Sequence, residues 1–184
     1  MKNFSFVRSF ALVAALALAT SAMAAAPPAP VQPTRALELL HLSGRWYEVA
    51  RVPNLAEKDC AFATTDWKPV GDGKFKVTQT CAKSPDDHGR TITATADPLD
   101  PTGNAKWRMN YFGGLIRRDY WVMDHADDDS WLILGMPGKH YVWVLSRQPR
   151  SPQAEREQFI EKIAALGYDA GKLVFPLTLA SRGN

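Results

Sequence analysis

Eight short segments that favour β-strands follow one another between residues 45 and 147, and this succession is the strongest constraint on the fold. They span 45–51, 60–69, 74–83, 90–97, 105–112, 119–125, 130–136 and 140–147. Turn-forming residues such as Gly71-Asp72-Gly73 and Pro137-Gly138 occupy the breaks between them. Eight such strands fit a β-sandwich or an up-and-down barrel. We expect the barrel, because short turns favour pairing of sequence neighbours and closure removes exposed edges.

Several of these segments carry apolar side chains at every second position, which gives each strand one apolar face. This face comprises Trp107, Met109, Tyr111, Leu132, Leu134, Met136, Tyr141 and Trp143. We expect these residues to point into the barrel. A filled core and a ligand cavity both produce such alternation, and a barrel of eight antiparallel strands leaves room for one small ligand.

The hydrophobic period changes to a helical one after residue 150. Ser151 is a capping residue, Pro152 suits the first helical position, and Gly167 suits the end of the helix. The apolar stripe between residues 159 and 166 predicts a helix packed on the outside of the barrel. A helix lying on a membrane surface is the alternative, but its glutamates disfavour contact with anionic lipid. A short ninth strand is expected over residues 172–177, beside the first strand.

The first 24 residues have the features of a secretory signal peptide. A basic start precedes an apolar run over residues 10–20, and Ala22-Met23-Ala24 fits a cleavage site. The run is too short to span a bilayer, which disfavours a membrane anchor. No cysteine for lipid attachment lies near the cleavage site. We therefore expect a soluble periplasmic or secreted protein.

Residues 25–33 are rich in alanine and proline, and they predict a flexible leader before a folded domain over residues 34–184. Thr34 is expected to cap a short helical turn that ends at Leu40. The leucines of this turn, Leu37, Leu39 and Leu40, would close one end of the barrel.

Cys60 and Cys81 are the two cysteines of the chain. They flank the hairpin whose turn is Gly71-Asp72-Gly73, so they would lie opposite each other on paired strands. A secreted chain with two cysteines is expected to form one disulfide, with two free thiols as the alternative.

Charge and motifs exclude several functional classes. The net charge is +3, and the basic start of the signal peptide contributes two of these charges, so we expect no nucleic-acid binding. None of the four histidines lies at metal-ligand spacing from another histidine or a cysteine. His125 lies near Asp124 and Asp127, which leaves metal binding or catalysis there as a minor alternative. We expect no metal site, no cofactor and no catalytic residues.

The stretch Gly44-Arg45-Trp46-Tyr47-Glu48 and the later Leu145-Ser146-Arg147 resemble the first and last motifs of the lipocalin family. The resemblance is greatest to bacterial lipocalins, in which paired cysteines on the second and third strands also occur. It implies that Arg147 lies across Trp46, near Gly44, and closes the floor of the barrel. The middle family motif is degenerate here, because His125 to Asp129 replaces the usual Thr-Asp-Tyr.

The resemblance implies a carrier that holds a small hydrophobic molecule inside the barrel. For bacterial members the implied ligands are fatty acids or lysophospholipids, with a role in envelope lipid handling. Two alternatives stay open. A few lipocalins are enzymes, and exposed tryptophans such as Trp121 and Trp131 could form a protein-binding patch. Peripheral membrane contact is also left open, and the sequence does not fix the oligomeric state.

Because antiparallel strands alternate in direction, the loops can be assigned to the two ends of the barrel. Arg117, Arg118 and Lys139 fall at the open end, whereas seven aspartates between residues 72 and 129 fall at the closed end. This distribution predicts an anionic ligand whose head group contacts the basic rim. Solubility of exposed loops would also explain these charges.

Overall fold

Eight antiparallel strands close into a barrel in which each strand pairs with its sequence neighbours and the last pairs with the first. The strands are β1 (Gly44–Arg51), β2 (Phe62–Gly71), β3 (Lys74–Ala82), β4 (Arg90–Pro98), β5 (Lys106–Tyr111), β6 (Ile116–His125), β7 (Trp131–Gly135) and β8 (Val142–Ser146). The computed structural model describes residues 32–84, 87–100 and 102–176. The expected signal peptide and most of the leader lie outside these residues. The predicted all-β barrel is confirmed.

The pairing register determines which side chains enter the barrel, since cross-strand partners share one face of a sheet. Val77 on β3 lies opposite both Trp67 on β2 and Ala94 on β4, and Ala94 lies opposite Tyr111 on β5. These residues belong to one buried cluster inside the barrel. The same cluster contains Trp107, Met109, Tyr111, Leu132, Leu134 and Trp143, with Met136 and Tyr141 packed against it.

The two ends of the barrel differ. We call the end with the β2–β3 turn and the start of β1 the closed end, and the opposite end the open end. A 3₁₀ helix at Leu39–Leu42 lies before β1, and Leu37 and Leu42 are buried at the closed end. The expected helical turn capped by Thr34 is wrong, because the Thr34 hydroxyl donates to the Met123 carbonyl at 3.0 Å. Leu40 is exposed and does not help to close the barrel.

Helix α1 (Gln153–Ala165) packs outside the barrel against β1, β7 and β8. Phe159 and Ile163 are buried in a second cluster with Ile133 and Val144, so the helix covers the barrel rather than a membrane surface. The predicted cap is wrong, since the helix begins after Pro152 and no side chain caps it.

The chain contacts the barrel at both boundaries of the folded domain. The ninth strand is reduced to one bridge between Arg51 and Val174, and residue 177 lies outside the described part. At the other boundary, Gln32 accepts a hydrogen bond from Lys106 at 2.6 Å, so contact with the barrel begins before residue 34. None of the described helices is long and apolar enough to cross a membrane.

Candidate functional site

A cavity of about 460 Å³ occupies the open half of the barrel. The space is empty because the inward positions of β2 and β3 carry small or polar side chains at this level. These residues are Ala63, Thr65 and Gln79. Its wall also includes Leu134, Leu145, Trp143, Tyr111, Tyr120, Phe112 and Ile116. This volume falls within the range of small-molecule sites in proteins.

Three aromatic rings fill the barrel below the cavity. Trp67, Phe75 and Trp107 contact one another edge to face, with centroids 5.5 to 5.8 Å apart. Ala94 and Ala96 lie on the neighbouring strand β4 and provide the room for these rings. The lower half of the barrel is therefore a packed core, and the cavity has a solid floor.

The residues predicted to line a cavity divide between these two halves. Tyr111, Leu134 and Trp143 lie on the cavity wall. Trp107, Met109 and Leu132 are buried in the core instead, since their strand positions lie nearer the closed end. Met136 and Tyr141 lie in the β7–β8 connection at the open end. They are half-buried and pack against the cluster inside the barrel. Alternation gave the correct face of each strand but not the depth of each residue in the barrel.

A β-bulge in β1 brings a glutamate and an arginine to the inner face together. Residues three apart normally point to opposite faces of a strand. The register shifts between Glu48 and Ala50, so Glu48 lies opposite Leu145 and Arg51 lies opposite Trp143. Both side chains are buried, and the Arg51 guanidinium donates to the Glu48 carboxyl group.

A third charged residue, Glu57, joins this pair from the β1–β2 loop. The Trp143 indole donates to Glu57 Oε2 at 2.9 Å, and the Asn54 amide donates to the same oxygen. Arg51 also donates to the carbonyl oxygens of Glu57 and Cys60, at 3.1 and 2.8 Å. This buried polar group, Glu48, Arg51 and Glu57, fastens the loop over the open end.

Burial and, to a smaller extent, the nearby charge of Glu57 raise the pKa of Glu48 to about 8 against the opposing effect of Arg51. Glu48 therefore carries a proton at neutral pH. The charges of Arg51 and Glu57 then balance each other, and the donors of Arg51 that point to Glu48, Glu57 and Cys60 are already in use.

The disulfide between Cys60 and Cys81 is confirmed, with Cα atoms 5.2 Å apart. It ties the β1–β2 loop to the end of β3, and Cys81 contributes to the cavity wall. The Arg90 guanidinium donates to the Ala56 carbonyl from the other side of this loop. The loop beside the cavity mouth is thus held by covalent, ionic and hydrogen-bonded contacts.

Two tyrosines carry the other polar atoms deep in the open half. The Tyr111 hydroxyl donates to Gln79 Oε1 at 2.9 Å, and the Tyr120 ring lies 5.6 Å from the Trp143 ring. Burial raises the pKa of both tyrosines, and the charge of Arg118 partly opposes the increase. Both hydroxyls therefore stay protonated. The Tyr111 proton is already donated to Gln79, whereas the Tyr120 hydroxyl can donate a hydrogen bond to a bound molecule.

The three cations predicted at the rim do not line the cavity. Arg117 and Arg118 are exposed on β6, and Lys139 is half-buried in the β7–β8 turn. Arg118 occupies an inward register position opposite Met109. The cation on the cavity wall is Arg90, which sequence reasoning missed because it stands at the first position of β4. Contact of any of these cations with a ligand stays a prediction.

The aspartates of the closed end are largely paired with cations. Asp124 contacts Lys162 at 3.0 Å and Asp97 contacts Lys74 at 3.3 Å. Asp127 pairs with Arg35, and Asp129 lies 2.8 Å from the His41 ring. The closed end is therefore less acidic than the sequence suggests, which weakens the expected contrast in charge between the two ends.

Arg147 lies across Trp46 at the closed end, with its guanidinium carbon 3.5 Å from the ring centroid. It donates to the carbonyl oxygens of Arg45 and His41, at 2.9 and 2.6 Å. Gly44 has φ +93°, a conformation that residues with a Cβ rarely adopt, and a Cβ there would make an ordinary contact of 3.5 Å with the guanidinium. These contacts join the start of β1 to the end of β8.

Two minor expectations can also be compared with the structure. The His125 ring contacts the backbone carbonyl oxygens of Ala126 and Ala36, and residues 32–84, 87–100 and 102–176 contain no group of three metal-ligand side chains. The tryptophan patch is wrong as an exposed surface, because Trp121 and Trp131 are half-buried against the outer cluster. Lys106 and Lys162 cover their rings.

Comparisons with known proteins agree with this geometry. Residues 37–178 match the family described as "Lipocalin-like domain". The chain is 24% identical over 149 residues to the outer membrane lipoprotein Blc of Vibrio cholerae, covering 80% of this chain and 86% of the relative. It is 26% identical over 145 residues to temperature-induced lipocalin-1 of Arabidopsis thaliana, covering 76% and 78%.

Among solved structures, lipocalin 12 from rat epididymis aligns with a TM-score of 0.64 at 14% identity. The alignment covers 88% of this chain and 98% of that chain, so the two share the fold. A barrel with an internal cavity and a floor closed by an arginine over a tryptophan defines a class of small-molecule binders. The chain belongs to the lipocalin-like family.

Proposed function

We propose that this protein carries a fatty acid or a lysophospholipid, with the acyl tail in the cavity and the head group at the open end. The observation that carries this proposal is the cavity itself, which is bounded by an aromatic floor and walled by Leu134, Leu145 and Trp143. Each buried methylene contributes about 0.8 kcal/mol, so a tail of moderate length supplies enough free energy for stable binding.

The buried polar group supports this orientation of the ligand. A carboxylate or phosphate pushed into the cavity would meet Glu57, while the two terminal nitrogens of Arg51 are engaged with Glu48 and the β1–β2 loop. Of the Arg51 donors, Nε is buried without a hydrogen-bond partner among the described residues, and it does not lie on the cavity wall. An unpaired anion in an apolar cavity is costly. Arg90 at the mouth and Arg118 on the inner register of β6 offer positive charge to a head group that stays outside.

We place this activity in the cell envelope. The relative in Vibrio cholerae is named an outer membrane lipoprotein, and the sequence of this chain begins with the features of a secretory signal. Handling of membrane-derived lipids in that compartment fits both observations.

The identity of the ligand can be tested by mass spectrometry of lipids extracted from protein purified from its own host. The matched variants are Ala63→Trp, which fills the cavity from β2, and Lys68→Trp, which adds the same ring to an exposed position of the same strand. We expect acyl lipids with the wild type and Lys68→Trp but not with Ala63→Trp. Recovery of the same lipids with both variants would contradict binding in the cavity.

The orientation can be tested by comparing a fatty acid with the matching fatty alcohol. Replacing Arg117, Arg118 and Lys139 by glutamine, or Arg90 alone, should weaken the acid more than the alcohol, and the difference should shrink in high salt. Lys76→Gln, on the outer face of β3, is the control. Equal losses for acid and alcohol would show that these cations do not contact the head group.

The proposal also includes binding without chemical conversion of the ligand. Among the polar groups on the cavity wall, Glu48, Glu57 and Trp143 are engaged in the buried polar group, and Tyr111 is hydrogen-bonded to Gln79. A fatty acid or lysophospholipid incubated with the protein should therefore be recovered unchanged. Accumulation of a hydrolysed or isomerised product, absent with Ala63→Trp, would instead favour an enzyme.

A further inference from the structure

Leucine side chains stand fully in solvent on two loops at opposite sides of the cavity mouth. Leu55 in the β1–β2 loop is 90% exposed, and Leu115 in the β5–β6 loop is 88% exposed. Neither residue lines the cavity, although their neighbours Ala56 and Ile116 do. Neither packing in the core nor contact with a ligand in the cavity therefore explains why these two leucines are present.

The β5–β6 loop presents a further apolar residue at an energetic cost. Phe112 is 62% exposed and has φ +51°, a left-handed conformation that is strained for a bulky side chain. The other described non-glycine residues with positive φ are Asp72, Asn104, Asp129 and Lys139. Phe112 also lines the cavity, so apolar surface extends from the interior to the β5–β6 loop.

Positive charge accompanies this apolar tip. Arg117 and Arg118 follow the loop directly, and neither forms an ion pair within the described residues. The nearest acid along the strand, Asp119, is already paired with Arg108 at 2.8 Å. Elsewhere at the open end cations and acids are mixed, since Asp59 and Asp87 accompany Lys58, Lys83 and Arg90. The β5–β6 side therefore differs in carrying two arginines without a free acid beside them.

Exposed apolar side chains beside unpaired arginines complement the surface of a bilayer that contains anionic lipid. The apolar residues would enter the boundary between head groups and acyl chains, and the guanidinium groups would contact lipid phosphates. A partner protein would be expected to offer a shaped, mostly polar surface, for which two leucines on separate loops are a poor match.

We propose that the open end docks on an anionic lipid surface through Leu55, Phe112 and Leu115, with Arg117 and Arg118 binding phosphates. Docking in this orientation brings the cavity mouth against the membrane, so that an acyl chain passes between bilayer and barrel without crossing water. The docking is independent of the cargo, whereas its use in loading rests on the proposed function.

The test is sedimentation of the full chain with vesicles of phosphatidylcholine alone and with about 30% phosphatidylglycerol, since basic residues respond to anionic lipid. The variant Leu55→Ser/Leu115→Ser removes apolar side chains at the mouth. Leu40→Ser/Val70→Ser is the matched control, because Leu40 and Val70 are exposed at the closed end, at 71% and 55%.

We expect wild type and control to bind the anionic vesicles, and the mouth variant to bind them at least tenfold more weakly, since even partial burial of two leucines contributes this much. Raising the salt concentration should release all proteins. Failure of the wild type to bind, retention by the mouth variant, or equal loss in both variants would overturn the proposal. A shift from dimer to monomer in the mouth variant, without vesicle binding by the wild type, would also overturn it in favour of self-association.

Binding of a soluble fluorescent fatty acid separates this proposal from the proposed function. Leu55 and Leu115 do not line the cavity, so the mouth variant should bind the soluble probe as the wild type does. Its transfer of the probe from anionic vesicles should be slower. Loss of probe binding in the wild type would contradict the carrier function but leave vesicle docking testable by sedimentation.

Discussion

In the closed half of the barrel, Trp67, Phe75 and Trp107 meet edge to face, whereas the open half holds Ala63 and Gln79 at inward positions of the same strands β2 and β3. The backbone pairing continues through both halves. Side-chain volume therefore decides which half is packed and which is hollow. The comparison shows that one alternating pattern can specify a packed core in one half of a strand and a binding site in the other half.

The two halves also differ in how they treat carboxyl groups and apolar side chains. The closed half pairs Asp97, Asp124, Asp127 and Asp129 with basic side chains and covers Trp46 with Arg147. The open half keeps a buried carboxyl group at Glu48 and exposes Leu55 and Leu115 to solvent. Features that reduce stability without compensation are typical of functional regions. Stability should thus depend mainly on the closed half, and ligand and membrane properties on the open half.

The largest expected effect on stability comes from Trp107→Ala in the closed half. This change removes the centre of the aromatic cluster and the indole hydrogen bond to the Asn104 carbonyl, so it should cost about 3–5 kcal/mol. Tyr111→Phe in the open half should cost only about 1 kcal/mol, since it loses one hydrogen bond to Gln79. Urea denaturation measures both, and similar losses would refute the division of stability between the halves.

Removal of the disulfide tests how firmly the open half is held. Replacing Cys60 and Cys81 together by serine opens a loop with a sequence separation of 21, which should cost about 3 kcal/mol on the chain-entropy estimate. Hydrogen exchange should increase in residues 53–60 more than at Trp46, because the bond fastens the loop at the mouth. Uniform exchange across both ends would mean that the bond stabilises the whole barrel instead.

The fold and its closed end could be predicted from the sequence because they depend on local signals. Turn residues mark the strands, and the Gly44–Trp46 and Arg147 motifs, with the lipocalin resemblance, led to the ring contact that the structure contains. The inward face of β5 followed from a period of two. The depth of Trp107 could not be predicted in this way, since it depends on where Phe75 and Trp67 on other strands place their rings.

The polar part of the site was missed for a physical reason. Strict alternation places Glu48 inward and Arg51 outward, and only the β-bulge at Val49 turns both inward. Glu57 and Asn54 lie in a loop, where no hydrophobic periodicity indicates which side chains point inward. Ala63, Gln79 and Arg90 could have been found by continuing the alternation of β2, β3 and β4 to the open end, although their small or polar nature gives a weak signal.

A smaller, pH-dependent effect should come from the buried carboxyl group of the open half. Because its pKa is raised from 4.5 to about 8, folded Glu48 keeps its proton where the unfolded chain has lost it. The free energy of unfolding should therefore fall as the pH rises from about 4.5 toward 8. Glu48→Gln cannot titrate, so its stability relative to wild type should increase by on the order of 2 kcal/mol between pH 6 and pH 8.

Urea denaturation of wild type and Glu48→Gln at several pH values in this range measures that difference. Glu161→Gln, on the exposed face of α1, is the control and should give a difference that does not change with pH. A constant difference for Glu48→Gln as well would show that the carboxyl group is ionised in the folded protein, and that Arg51 compensates its burial fully.

The smallest expected effect concerns the contact that closes the floor. Arg147→Ala removes the guanidinium from the face of Trp46 and its hydrogen bonds to the Arg45 and His41 carbonyl oxygens. A cation on an aromatic face contributes about 0.5–2 kcal/mol, so a loss of about 1–2 kcal/mol is expected. Arg147→Lys keeps the charge but not the planar group, and it should recover less than half of this loss.

Because the cavity lies in the other half of the barrel, affinity for a fluorescent fatty acid should be unchanged in both variants. Weaker fatty-acid binding in proportion to the loss of stability would show that the two halves are coupled and that the comparison between them fails.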